Sequence, residues 1–227
     1  MPYARPARRL IGCSHQHRCI VRTELDGTVT VLADRYQGRR LNGPNDVVLR
    51  SDDTIRFTDL HYGGGADYEG GKHTPEQPPR VYRLDPGTGK LSVVADDSAG
   101  PNGLCFSPDK KRLYIAESGA QFAIDPERHI RVFDLGDDGR LSHGRVFHTV
   151  SPGYTDGFRC DEDGRIWTSA GDGVHCVSAE GALLEKIPTG TTVANLAFGG
   201  RNFSRLFLCA SHSLMAIYTN VRGAQRP

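Results

Sequence analysis

Four short segments of the chain place a side-chain amide or carboxylate in similar surroundings: Pro44-Asn45-Asp46, Pro101-Asn102-Gly103, Thr155-Asp156-Gly157 and Ala194-Asn195-Leu196. Amide and carboxylate oxygens are hard donors that suit calcium, magnesium or manganese. One or two carboxylates among neutral oxygens make an ordinary divalent-cation site with positions left for water. A carboxylate in such a setting can also take a proton from water. The competing reading is that Asn-Gly and Asp-Gly merely build repeated turns. The residues alone leave both readings open.

Strands carry these residues. Cys19 to Thr23, Thr28 to Leu32, Thr54 to Thr58, Val81 to Leu84, Arg112 to Ala116, Ile130 to Phe133 and Arg165 to Thr168 alternate with period two. Asp26-Gly27, Asp138-Gly139 and Asp163-Gly164 stand between them and favour tight hairpin turns, because both residues tolerate positive φ. The turn motifs recur in one order: Asn45 to Asn102 is 57 residues, Asn102 to Asp156 is 54 and Asp156 to Asn195 is 39. Units of this length, each with four antiparallel strands, predict a β-propeller. Residues 10–35 read as the later strands of a blade, and residues 193–219 as the earlier strands of another. In a propeller the innermost strand of each blade lines the channel, so Asn45, Asn102, Asp156 and Asn195 are expected at equivalent places around one mouth.

Composition narrows the class. The 227 residues include 27 glycines and 13 prolines, and 37% are hydrophobic, enough for a core and unlike a disordered or collagenous chain. Lys and Arg total 28 against 27 Asp and Glu, a net charge of +1 with no basic block, which speaks against nucleic acid or anionic lipid as a partner. No apolar run reaches spanning length and no apolar segment follows the first arginines, so the expectation is a cytoplasmic protein without a membrane association. Six cysteines without a CxxC pair read as free thiols.

Taken together, Leu41-Asn42-Gly43-Pro44-Asn45-Asp46-Val47-Val48, Phe57-Thr58-Asp59-Leu60-His61-Tyr62-Gly63, Ala99-Gly100-Pro101-Asn102-Gly103-Leu104, Thr155-Asp156-Gly157-Phe158-Arg159, Ser169-Ala170-Gly171-Asp172-Gly173-Val174 and Ala194-Asn195-Leu196-Ala197-Phe198-Gly199-Gly200 resemble the gluconolactonase / senescence-marker-protein-30 family. The resemblance runs from about Leu10 to the C-terminus. It implies an all-β fold, a six-bladed propeller of which four to five blades are present, with residues 1–9 a flexible N-terminus and 10–227 one propeller domain. It further implies one divalent cation, calcium first and zinc, magnesium or manganese as alternatives, and hydrolysis of a sugar lactone of the glucono-1,5-lactone type to the aldonic acid. Residue by residue, Asn102 and Asp156 match two metal ligands, Asp156 also matches the general base, and Asn45 matches an asparagine associated with substrate or water. The cation would polarise the lactone carbonyl and stabilise the tetrahedral oxyanion while Asp156 takes a proton from the attacking water.

One departure stands out. The family's third metal ligand is the glutamate of a Glu-Gly-Pro tripeptide in the first blade, and this sequence contains no Glu-Gly-Pro. Glu69-Gly70-Gly71 follows a different strand, and the role is not transferred to it. The matched region starts past that blade, and a complete six-bladed chain would be roughly 60 to 80 residues longer at ~40 to 57 per blade. The alternative function is therefore a catalytically impaired or non-catalytic propeller that binds a partner, and the open edge of the propeller is a candidate for self-association. Among the remaining candidates, His15 and His17 read as a surface pair, His61 and Tyr62 as turn packing, Gly63 to Asp67 as a flexible loop, and Asp161-Glu162-Asp163-Gly164 as a hairpin turn.

Overall fold

The computed structural model describes residues 9–67, 69–119 and 128–224. The flexible N-terminus expected over residues 1–9 lies outside the described residues, apart from Arg9, whose guanidinium pairs with Glu24 at 2.6 Å.

The chain is a succession of antiparallel sheets. The first is β1 (Leu10–Ser14), β2 (Cys19–Thr23) and β3 (Val29–Ala33), followed by a small hairpin of β4 (Arg35–Tyr36) and β5 (Arg39–Arg40). The second is β6 (Pro44–Leu49), β7 (Ile55–Asp59), β8 (Arg80–Asp85) and β9 (Lys90–Ala95). The third is β10 (Pro101–Phe106), β11 (Arg112–Glu117), β12 (His129–Leu135) and β13 (Leu141–Thr149). The fourth is β14 (Phe158–Cys160), β15 (Ile166–Ala170), β16 (Gly173–Val177) and β17 (Leu183–Pro188), and the fifth is β18 (Val193–Gly199), β19 (Arg205–Ala210) and β20 (Ser213–Tyr218). This is an all-β propeller arrangement of five blades.

Each junction between neighbouring blades has its own core, because a strand with alternating apolar residues presents one set to each side. Ile20, Leu41, Phe57 and Tyr82 fill the first junction, and Val48, Leu104, Phe106 and Ile115 the second. Cys105, Tyr114, Phe158 and Ile166 fill the third, and Trp167, Val174, Leu196 and Leu206 the fourth. Successive inner strands pack in the order β6, β10, β14, β18.

The two end blades are three-stranded for different reasons. β1 runs toward the channel mouth, as β7 and β11 do, and packs on β6; the first sheet thus has the later three strands of a blade. β18 runs away from the mouth like β6 and β10, so the last sheet has the first three. Both readings from the sequence hold. Residues 221–224 then cross back to the fourth blade, where Asp161 and Gly223 form a bridge.

The Asp-Gly hairpins form, with a change of detail. Gly27, Gly139 and Gly164 take positive φ (84°, 81° and 85°), but the aspartate before each does not. Instead the aspartate of the first two caps the turn: Asp26 Oδ1 accepts the Thr28 amide at 2.9 Å and Asp138 Oδ1 that of Arg140 at 2.9 Å. Asp161, three residues before Gly164, does the same for Asp163 and Arg165, which makes Asp161 to Gly164 the expected turn. All six cysteines are free.

Candidate functional site at the channel mouth

The inner strands begin at the mouth, and β6, β10 and β18 begin with an irregularity. In β6 the register jumps between Pro44, opposite Asp59, and Val47, opposite Phe57; in β10 it jumps between Pro101, opposite Glu117, and Leu104, opposite Ile115. Two residues therefore face one, which is a bulge that re-aims the side chains it carries. Asn45 and Asn102 are the first residues of these bulges. Asp156 lies just ahead of β14, its amide donating to Ser169 Oγ at 2.9 Å.

Asn195 does not share their place. In β18 the jump falls between Val193, opposite Ala210, and Asn195, opposite Cys209. Ala194 is thus the counterpart of Asn102, and Asn195 is the counterpart of Gly103 and Asp46. The side chains agree, since Asn195 Oδ1 accepts the amide of Leu196 and Asp46 Oδ1 that of Val47, both at 2.8 Å. The expectation that four donors are equivalent is corrected to three.

The glycines of the motifs are not turn glycines. Gly103 and Gly157 lack positive φ. They are where inner strands touch: the Gly103 amide donates to the Asp156 carbonyl at 3.1 Å and the Gly157 amide to the Ala194 carbonyl at 2.8 Å. A Cβ at Gly103 would lie 2.1 Å from the Asp156 carbonyl oxygen, and one at Gly157 2.1 Å from Asn195 Oδ1. Glycine is required there by close approach, and that approach draws the side chains before them together.

Asn45 Nδ2 donates to Asn102 Oδ1, and Asn102 Nδ2 donates to Ser118 Oγ at 2.9 Å. The Asn102 side chain lies near enough to Asp156 to favour its ionised form. Asn45, Asn102 and Asp156, read from sequence as site residues, are thus brought into one connected group. Burial, with the Asp46 and Glu69 carboxylates nearby, raises the Asp156 carboxyl to about 6, while the polar Asn102 side chain opposes the rise. Among the described residues no cationic side chain pairs with it.

Other residues fix this group and were not singled out from sequence. Asp59 and Glu117 end the second strands of adjacent blades, are fully buried, and hold the loops that enter the inner strands. Asp59 accepts the amides of Asn42 and Gly43 at 2.9 and 2.8 Å. Glu117 Oε1 accepts those of Gly100 and Gly119 at 2.6 and 3.1 Å, and Ser98 Oγ donates to Oε2. Burial raises the Asp59 carboxyl to about 6 against these bonds. The available signal was position: each carboxylate falls where the alternation of its strand (Ile55, Phe57; Leu113, Ile115) calls for an apolar residue.

His15 and His17 do not form a surface pair. They occupy the turn after β1 and diverge, His17 toward Ser14 Oγ at 3.0 Å and His15 Nε2 toward Asn45 Oδ1 at 3.2 Å. The glycine run after β7 is packed: a Cβ at Gly63 would lie 2.6 Å from His15 Cγ, and one at Gly64 2.4 Å from His73 Cε1. His61 meets His73 edge to face at 5.1 Å, as expected of turn packing. Among the described residues no helix is long and apolar enough to cross a membrane, and no three His, Cys, Asp or Glu side chains cluster as a metal site.

The chain is similar to proteins with this fold. It is 29% identical to the gluconolactonase of Zymomonas mobilis over 213 residues, 86% of this chain and 55% of that protein. It is 28% identical to the lactonohydrolase oryL of Aspergillus oryzae over 217 residues, 88% and 49%. The structure of the Xanthomonas campestris gluconolactonase superposes with a TM-score of 0.84 at 36% identity, covering 95% of this chain and 68% of that one. The chain spans about half the length of these curated relatives. Residues 2–212 match the SMP-30/Gluconolactonase/LRE-like region, and with its strand order and its inner-strand motifs in register, the chain belongs to that family.

Proposed function

We propose that this chain hydrolyses a sugar lactone of the glucono-1,5-lactone type to the aldonic acid, with a divalent cation held at the channel mouth. The observation that carries the reading is Asp156, a part-buried carboxylate set against the Asn102 amide without a cationic partner among the described residues. Burying a carboxylate without a counter-charge is costly, and a dication is the group this donor pair suits. Relatives named for gluconolactonase and lactonohydrolase activity support the substrate class.

Asn102 Oδ1 and Asp156 would hold the cation, calcium first by the hardness of the donors, with zinc, magnesium and manganese as alternatives. Bound there, a dication supplies polarisation of the lactone carbonyl and charge compensation for the oxyanion. Asp156 accepts a proton from the attacking water. Asn45, one N–H engaged by Asn102, keeps a second N–H to orient a substrate hydroxyl or the water.

The test is turnover of glucono-1,5-lactone by the chain with calcium, zinc, magnesium or manganese, beside Asp156→Ala. Metal-stimulated turnover that D156A loses is the expected result. No turnover and no thermal shift with any of these ions sinks the reading. It would favour the second one, a non-catalytic propeller binding a partner.

A second part of the proposal is self-association through the open edge. Leu10, Val29 and Val31 on the first sheet and Leu214 and Tyr218 on the last are more than half exposed. They lie on the faces turned away from the blade cores. A second copy covering both faces would give a concentration-dependent dimer in sedimentation.

A further inference from the structure

His15 stands apart from the family motifs, yet the mouth is built around it. Its side chain is about one-fifth exposed (21%), in the turn between β1 and β2. Two glycines of the loop between β7 and β8 close on it. A Cβ at Gly63 would lie 2.6 Å from its Cγ, and one at Gly70 3.0 Å from its carbonyl carbon. The same loop brings Glu69, whose Oε2 is 4.0 Å from His15 Nδ1. On the other side of the ring, Nε2 is 3.2 Å from Asn45 Oδ1.

The direction of these bonds matters. Asn45 gives an N–H to Asn102, so its Oδ1 is an acceptor and His15 Nε2 is the donor. Asn102 in turn gives an N–H to Ser118. Three side-chain bonds therefore run the same way, from His15 through Asn45 to Asn102 and Ser118, and each donor fixes the amide after it. An unanchored Asn45 could turn over and present its oxygen where Asn102 needs a donor.

We propose that His15, backed by Glu69 and caged by Gly63 and Gly70, is a positioning residue that sets the amide orientation of Asn45 and, through it, that of Asn102. Its kinetic consequence rests on the lactonase reading; its structural consequence does not.

Two variants separate the role from simple packing. His15→Phe keeps an aromatic ring and loses the donor, whereas His15→Gln keeps an N–H that can reach Asn45. In ¹H–¹⁵N spectra of the whole chain, H15F should move the side-chain amide resonances of both Asn45 and Asn102, and H15Q should leave Asn102 near its original position. Unmoved Asn45 and Asn102 amides in a folded H15F overturn the proposal whether or not the chain is active; if H15F does not fold, H15Q and Glu69→Gln carry the same test, and Asn102 displaced in H15Q as far as by Asn45→Ala overturns it. For lactone turnover, H15F should lower kcat/KM by about 10- to 100-fold, the usual range for residues that orient a site. H15Q should recover most of it. In an Asn45→Ala background H15F should cost almost nothing more, since its effect passes through Asn45. Additive losses overturn the proposal while the lactonase reading stands; a wild-type chain without turnover defeats that reading alone.

Discussion

Asp156→Asn should stabilise the metal-free protein at neutral pH even though it removes the proposed base. The Asp156 carboxyl lies at about 6 in the fold, against 3.8 for an ordinary aspartate. Because the native state binds the proton more tightly than the unfolded chain, the aspartate imposes no charge penalty below pH ~4, where both states are protonated. As pH rises through about 6 the native carboxyl must ionise in a buried setting beside Asp46 and Glu69, and stability falls. A shift of roughly two units corresponds to about 2.8 kcal/mol at 1.36 kcal/mol per unit, an upper bound for a site in contact with water. At ~2–4 °C per kcal/mol for a chain of this size, D156N should melt up to about 6–11 °C above wild type at pH 7.5. Differential scanning calorimetry in chelator, from pH 4 to 8, is the assay. The gain should vanish near pH 4 and level off above pH 7. Asp59 titrates alike in both proteins and cancels in the difference. A gain independent of pH, or a loss of stability at pH 7.5, would refute the argument.

Gly103→Ala places a methyl 2.1 Å from the Asp156 carbonyl oxygen; chemical denaturation should show a loss of about 2 kcal/mol or more, because a backbone neighbour cannot yield as a side chain can. Glu117→Ala strands the buried amides of Gly100 and Gly119 and should cost about 2–6 kcal/mol by the same measurement, at 1–3 kcal/mol per orphaned group. Phe57→Ala, in the core between the first two blades, should cost about 3–5 kcal/mol. Reductant should leave the melting temperature unchanged, since all six thiols are free.

Much of the propeller was legible because its evidence is local. Alternation marks a strand with two unlike faces, and an aspartate next to glycine marks a turn, so β2, β8 and β12 can be read without any partner strand. The incomplete end blades were legible from the order of motifs. What the alternation could not reveal was a bulge, since a bulge is defined by the strand opposite it. For that reason Asn195 looked like a fourth member of the ring while its register places Ala194 there.

The class of fold, the family and the candidacy of Asn45, Asn102 and Asp156 are legible along the chain, because each is written in a contiguous motif whose local geometry is forced. Packing alone reveals why Gly103 and Gly157 are glycines, that Asn45 meets Asn102, that Asp59 and Glu117 hold the entry loops, and that His15 reaches Asn45 from 30 residues away. Those facts depend on distances between segments that the packing of one blade on the next brings together, and no spacing along the chain encodes them.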